Sequence, residues 1–216
     1  MRLPPSKAYA PSLLLFRRFS EAMSEETLIL ASQSPRRREL LTQAGLPFEV
    51  HVPRVDETCS LPAQEAVAEL SRRKALACRS DFPGRYILAS DTLVCLDGTA
   101  MGKPADREDA LRMLRALSGR THDVFTGVTV LSPSGDMLTD VDGARVTFCD
   151  IPEPELQAYV HSGEPMDKAG AYAIQGRAGL WAVRLEGSVS AVIGLSLPLV
   201  RRLLLVSGYP LLSALA

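Results

Sequence analysis

An α/β fold built on a mixed sheet is what this sequence predicts, and three observations predict it. The apolar run Thr27–Ala31 (TLILA) leads at once into a helix start, Ser34-Pro35. Strand-like and helix-like segments then alternate through the first half of the chain. Two long strand-like runs separated by a short turn follow in the second half, which adds antiparallel pairing to an otherwise alternating pattern.

Taken in order, the elements read as follows. Thr27–Ala31 is short and wholly apolar, as a buried strand should be. Ser32–Pro35 is a loop in which Ser34 suits an N-cap and Pro35 the first helical turn; the helix Arg36–Ala44 is ended by Gly45. Pro47–Val52 is a second strand. A polar loop, Arg54–Ser60, precedes a long helix over Pro62–Arg79 with Val67, Leu70 and Leu76 facing inward. Tyr86–Ser90 is a third strand ending at Asp91, and Asp97-Gly98 turns a hairpin between Thr92–Leu96 and Thr99–Met101. Asp106–Leu117 is an amphipathic helix. His122–Leu131 and Met137–Phe148 are long strands around Ser132–Gly135, and Pro152–His161 is a helix. Short strands are expected at Leu180–Leu185 and Val189–Ile193, then a last helix from Leu197 to Val206.

Composition narrows the function classes. The chain has 216 residues, 46% of them hydrophobic, enough for one domain with a sizeable core. A net charge of -1 gives no global electrostatic case for nucleic acid or an anionic membrane. No apolar run approaches the ~20 residues needed to span a bilayer. Cys59, Cys78, Cys95 and Cys149 are widely spaced, reading as reduced thiols, and three scattered histidines do not suggest a zinc site. Residues 1–26 differ from the rest: Met1–Ser20 carries Arg2, Lys7, Arg17 and Arg18 and no acid. This start reads either as an organellar transit peptide or as an extension ahead of Met23, and is expected to be disordered.

Four motifs carry chemistry. Ser32-x-Ser34-Pro35-Arg36-Arg37-Arg38 places three arginines where a helix N-terminus is already positive. That conflict disappears if an anion binds; the alternative is a solvated basic patch. Asp56-Glu57 and Asp91 are carboxylates suited to Mg²⁺ or to activating water, or else surface acids, with Asp91 the least surface-like because apolar residues flank it. Gly102-Lys103-Pro104 is not a Walker loop, since the glycine spacing is one short and Pro104 replaces the Ser/Thr. Lys103 either contacts phosphate from a tight turn or is solvated. Lys74, beside Arg72 and Arg73, by itself reads as surface charge. Asp167–Gly176 is rich in small residues that allow close backbone approach to a ligand, with Gln175 offering both a donor and an acceptor to a base edge.

Together these residues resemble the Maf family of the inosine-triphosphatase-like fold group. The resemblance is carried, in order, by LILASQSPRRRELL, VDET, the lysine of SRRKALA, ASDT, GKP, THDVFTGV, DKAGAYAIQG and VIGLSLPL, across residues 27–208; a C-terminal tail, 209–216, remains. It implies an elongated mixed sheet with flanking helices, in two lobes around a cleft, in a cytoplasmic homodimer. It also implies hydrolysis of a nucleoside triphosphate to monophosphate and pyrophosphate with Mg²⁺ or Mn²⁺. On the matching positions Asp91 is the proton acceptor and, with Glu57, a metal ligand. Ser32, Arg36, Arg37, Lys74 and Lys103 bind the triphosphate. Arg36, Thr92 and Gln175 mark the branch acting on dTTP and UTP. A sister branch acting on 7-methyl-GTP carries Trp, Gln and Glu at the three marker positions. The other readings are an enzyme for that or another modified nucleotide, and a nucleotide-sensing regulator of septum formation. Two departures stand out: Ala173 replaces a usual Gly, and Ser196 replaces a usual Pro, which is expected to loosen the loop before the last helix.

Overall fold

The computed structural model describes residues 27–215; the predicted N-terminal extension 1–26 lies outside the described residues. Seven strands form one mixed sheet: β1 (Leu28–Ala31), β2 (Phe48–His51), β3 (Ile87–Leu96), β4 (Thr99–Met101), β5 (Thr121–Leu131), β6 (Met137–Phe148) and β7 (Ala182–Gly187). The helices are α1 (Pro35–Gln43), α2 (Ala63–Ala77), α3 (Arg107–Leu117), α4 (Glu153–His161), α5 (Val189–Ile193), α6 (Leu197–Val206) and α7 (Leu211–Ala214), with 3₁₀ turns at Glu164–Asp167, Ala169–Ala171 and Arg177–Trp181. The strand order is β2-β1-β3-β5-β6-β7, with β4 added to β3. β1 pairs in parallel with β2 and β3, and every later pairing is antiparallel.

The period-2 alternation of the strands distributes the core. Leu28, Leu30, Leu88, Val128 and Val130 face one way, against α1 and α6, while Ile29, Ala31, Ile87, Ala89 and Leu131 face the other, under α2. Further along β3, β5 and β6, Val94, Val124, Val146 and Phe148 return to the first face and pack against Leu114 of α3, Leu156 of α4 and Trp181. One face of the long strands therefore carries two cores in tandem, which are the two lobes. Between them the face turns polar at Thr92 and Thr126. On the opposite face, α2 lies so close to β5 that a Cβ at Gly127 would sit 2.2 Å from the Val67 carbonyl oxygen. Only glycine lets that helix approach.

The structure departs from the sequence expectations in four places. The predicted break after Ser90 is absent: β3 runs unbroken through Asp91, because β5 pairs with it continuously from Ile87 to Cys95. The hairpin at its end is as expected, with both Asp97 (φ 50°) and Gly98 (φ 79°) left-handed. Val189–Ile193 is a helix rather than a strand; the Ser188 hydroxyl caps it and Thr126 of β5 donates to its Ala191 carbonyl, overriding the β-branched sequence. Leu76 is exposed. Ser196 tightens the last loop instead of loosening it. Fully buried, it accepts from the Leu199 amide as the N-cap of α6 and donates to Asp142 at 2.5 Å.

His122 is a consequence of this packing with a measurable effect. It lies in the core of the second lobe against Phe148 and Tyr172, its Nε2 shares a hydrogen bond with the Tyr172 hydroxyl, and its Nδ1 is buried without a partner among the described residues. Burial pushes its pKa down from 6.5 to about 4. Unfolded, the ring takes a proton below pH 6.5; folded, it resists one. Its contribution is therefore complete above pH 6.5 and is lost as pH falls to about 4, by up to ~3 kcal/mol. In His122→Gln the loss of unfolding free energy between pH 7 and pH 4.5, followed by urea titration, should be smaller than in the wild type. Identical pH slopes would show that His122 charges freely in the native state.

Candidate active site

The cleft exists because one edge of β3 is left unpaired over a few residues. β1 covers that edge only from Ile87 to Ala89, and β4 covers it only from Val94 to Leu96. Asp91 and Thr92 lie in the gap, where side chains from both faces of the sheet can reach one ligand. The crevice-at-strand-ends rule thus holds through the C-terminal end of β1, not through an end of β3. A cleft of about 920 Å³ opens here, a volume suited to a small ligand. Each sequence-predicted site residue lines it: Ser32, Arg36, Arg37, Glu57, Lys74, Asp91, Thr92, Lys103 and Gln175.

The acidic side gathers Asp91 of β3 and Glu57 of the loop before α2 around Lys74 of α2. Lys74 is only 7% exposed, so the surface reading suggested by its basic neighbours does not hold. Arg72 and Arg73 turn away to Glu69, and Arg73 also donates to the Asp56 and Thr58 carbonyls, fixing the loop that carries Glu57. Lys74 Nζ lies 2.5 Å from Asp91 Oδ1 and 2.8 Å from Glu57 Oε1. Asp91 Oδ2 has no hydrogen-bond partner among the described residues. Burial raises the Glu57 pKa, but its hydrogen bond to Lys74 and the charges of Lys74, Lys103 and Arg37 outweigh that and hold it below the usual carboxylate range. Asp56, by contrast, accepts from the Thr58 amide in its own turn and is exposed.

The cationic side is the start of α1. Ser34 occupies the N-cap position but makes no side-chain cap, so the Ser34 hydroxyl does not compete with a ligand for the helix amides. Ser32 Oγ accepts from the Ser34 amide and from Arg37 Nη1. Arg37 is also anchored by Nε on the Gly194 carbonyl at 2.7 Å. Burial lowers the Arg37 pKa, and the charge of Asp91 opposes that shift. Arg38 faces solvent, as a solvated arginine would. Lys103 lies in a turn whose Gly102 carbonyl accepts from the Gly170 amide, tying it to the glycine-rich segment.

Two contacts cross the mouth of the cleft. Arg36 Nη1 meets Asp167 Oδ2 at 3.1 Å, and Gln175 Nε2 meets Glu39 Oε2 at 3.4 Å. Each wall contributes one acid and one of the predicted selectivity residues. Asp167 also holds Lys168 at 2.5 Å; burial raises its pKa, but Lys168 and Arg36 bring it below the usual range. Sequence reasoning did not assign Asp167, Lys168 or Glu39, although all three lie inside quoted motifs. The signal for Asp167 and Glu39 is a contact across the cleft, an ion pair with Arg36 and a hydrogen bond from Gln175, and it exists only in three dimensions.

The arrangement can bind a polyanion, hold a water against Asp91 and expose a base to Gln175. No group of three or more His, Cys, Asp or Glu side chains among the described residues is placed to hold a metal ion by itself. Glu57 Oε1 and Asp91 Oδ1 converge on the Lys74 ammonium; as hard oxygen donors, with Asp91 Oδ2 unpaired among the described residues, these carboxylates would suit Mg²⁺ or Mn²⁺ when phosphate oxygens and water complete the ligand set. Among the described residues no helix is long and apolar enough to cross a membrane.

A family profile described as Maf-like protein matches residues 27–206. A relative from Symbiobacterium thermophilum named dTTP/UTP pyrophosphatase is 46% identical over 189 residues, covering 86% of this chain and 96% of that protein. A relative of the same name from Anaeromyxobacter dehalogenans is 48% identical over 189 residues, covering 85% of this chain and 95% of its own. Among solved structures, the Ham1 protein of Staphylococcus aureus aligns with a TM-score of 0.41 at 14% identity, over 57% of this chain and 72% of that one.

Proposed function

The chain belongs to the Maf family, and from that premise we propose that it hydrolyses dTTP and UTP to the monophosphate and pyrophosphate. The observation that carries the reading is Asp91: a carboxylate delivered to the gap in the sheet, opposite a wall of arginine and lysine, with one oxygen held by Lys74 and the other open to the cleft. Arg36, Thr92 and Gln175, together with relatives named for dTTP and UTP, favour these nucleotides over 7-methyl-GTP.

In this reading Arg36, Arg37, Lys103 and the first amides of α1 bind the triphosphate, and Ser32 orients Arg37. Asp91 takes a proton from water as the oxygen of that water bonds to phosphorus and the α–β anhydride bond breaks. The pyrophosphate leaves carrying the bridging oxygen, and the cations stabilise its charge. Lys74 holds Asp91 and Glu57 in register. A divalent ion held by Glu57, Asp91 and phosphate oxygens would supply charge neutralisation and orientation of the nucleotide. The reading carries with it a cytoplasmic setting and a homodimer, the second testable by sedimentation.

The products test the proposal. With UTP or dTTP and Mg²⁺, the expected yield is one pyrophosphate per monophosphate. Release of inorganic phosphate and a nucleoside diphosphate would overturn it.

A further inference from the structure

Three side chains reach a single backbone carbonyl beside the cleft. Gly194 closes α5 with φ 135° and ψ 3°, a backbone that side-chain-bearing residues rarely adopt. Arg37 Nε, Ser90 Oγ and Thr92 Oγ1 lie 2.7 Å, 3.1 Å and 3.3 Å from its carbonyl oxygen. Proton counting separates the two hydroxyls. Thr126 donates its only hydroxyl proton to the Ala191 carbonyl at 2.8 Å, so in the 2.8 Å contact between Thr92 and Thr126 the donor is Thr92. Thr92 has then no proton for Gly194. Ser90 has one, and no other hydrogen-bond partner among the described residues. The two lone pairs of the carbonyl are filled by Arg37 and Ser90.

Ser90 and Asp91 are neighbours in β3, yet they point to opposite faces of the sheet. Ser90 is fully buried and does not line the cleft. Its partner Gly194 does, and so does Arg37. With Nε committed to Gly194 and one Nη1 hydrogen to Ser32, the orientation of the Arg37 guanidinium plane is fixed, and its remaining donors are left for an anion.

We propose that Ser90 is a positioning residue for the phosphate site: it holds the Gly194 carbonyl, and that carbonyl aims the Arg37 guanidinium. The α5–α6 turn is then part of the phosphate-binding machinery although Ser90 itself touches no substrate. The proposal rests on the pyrophosphatase reading above.

The test is Ser90→Ala, measured against UTP and against pyrophosphate as a product inhibitor. Loss of one hydrogen bond from an orienting group should raise the KM for UTP and the inhibition constant for pyrophosphate by about three- to tenfold. The pH profile of kcat should stay put, because Asp91 lies on the other face. A merely structural role would lower the melting temperature and leave the pyrophosphate constant alone. The deciding comparison repeats Ser90→Ala in an Arg37→Lys background, which keeps the charge and removes the Nε–H. There the substitution should change the pyrophosphate constant by less than about twofold, since the group it aims is gone. An unchanged pyrophosphate constant in Ser90→Ala, or an equal effect in both backgrounds, would overturn the proposal. A wild type that neither cleaves UTP nor binds pyrophosphate would overturn both this inference and the function on which it rests.

Discussion

Asp91→Asn should lower turnover on UTP or dTTP by ~10²–10⁴-fold, the usual scale for removing a general base. The substitution keeps the shape of the side chain, and an amide oxygen can still accept from Lys74 where Asp91 Oδ1 now lies at 2.5 Å. What disappears is the proton acceptor facing the cleft. Measured without a divalent ion, so that the metal-holding role of Asp91 does not enter, nucleotide affinity should change much less, because Arg36, Arg37 and Lys103 are untouched. The loss of one negative charge beside Lys74 acts, if anything, in favour of a triphosphate. Initial rates with pyrophosphate detection, and competition binding of the product monophosphate and pyrophosphate, check both halves. Near-normal turnover in the variant would make Asp91 a structural partner of Lys74 and would remove the proposed base.

Much of this site was legible in the sequence because its residues sit at the joints between strongly patterned elements. LILA must be a buried strand, and SPRRR must begin a helix, so the arginines had to fall at the end of β1. The same logic misplaced the end of β3. Asp91 interrupts an apolar run, and an acid in a sheet interior reads as a strand end. The structure tolerates it in mid-strand because β1 stops short and leaves that edge open. Lys74 was misleading for a similar reason: in sequence it is one of three adjacent basic residues, and only the direction of its Cβ on α2 separates it from Arg72 and Arg73. Val189–Ile193 has the β-branched composition of a strand, but its hydrogen bonds go to Ser188 and Thr126, which no local pattern reveals. The cross-cleft pairs Arg36–Asp167 and Glu39–Gln175 join residues more than a hundred positions apart. Single-sequence periodicity carries no information about such pairs.

Gln175→Glu should reduce the preference for dTTP and UTP over 7-methyl-GTP by roughly ten- to hundredfold in relative kcat/KM. Every triphosphate presents the same phosphate oxygens, so the cationic wall cannot choose between bases. Gln175 offers an amide donor and a carbonyl acceptor, matching the carbonyl oxygens and the N3–H of uracil and thymine. An ionised Glu only accepts; it sets a carboxylate against a base carbonyl and suits the N–H donors of guanine instead. The structure adds a second effect of the same substitution. Gln175 Nε2 lies 3.4 Å from Glu39 Oε2, so Glu at position 175 would face a like charge across the cleft mouth and swing away from it. Glu39→Gln combined with Gln175→Glu separates the two causes, because the amide at 39 can again meet the carboxylate at 175. If base matching sets selectivity, the double variant restores the contact but not the pyrimidine preference. Recovery of the preference in the double variant would assign selectivity to the closed mouth of the cleft, and an unchanged ratio in Gln175→Glu alone would remove Gln175 from base recognition.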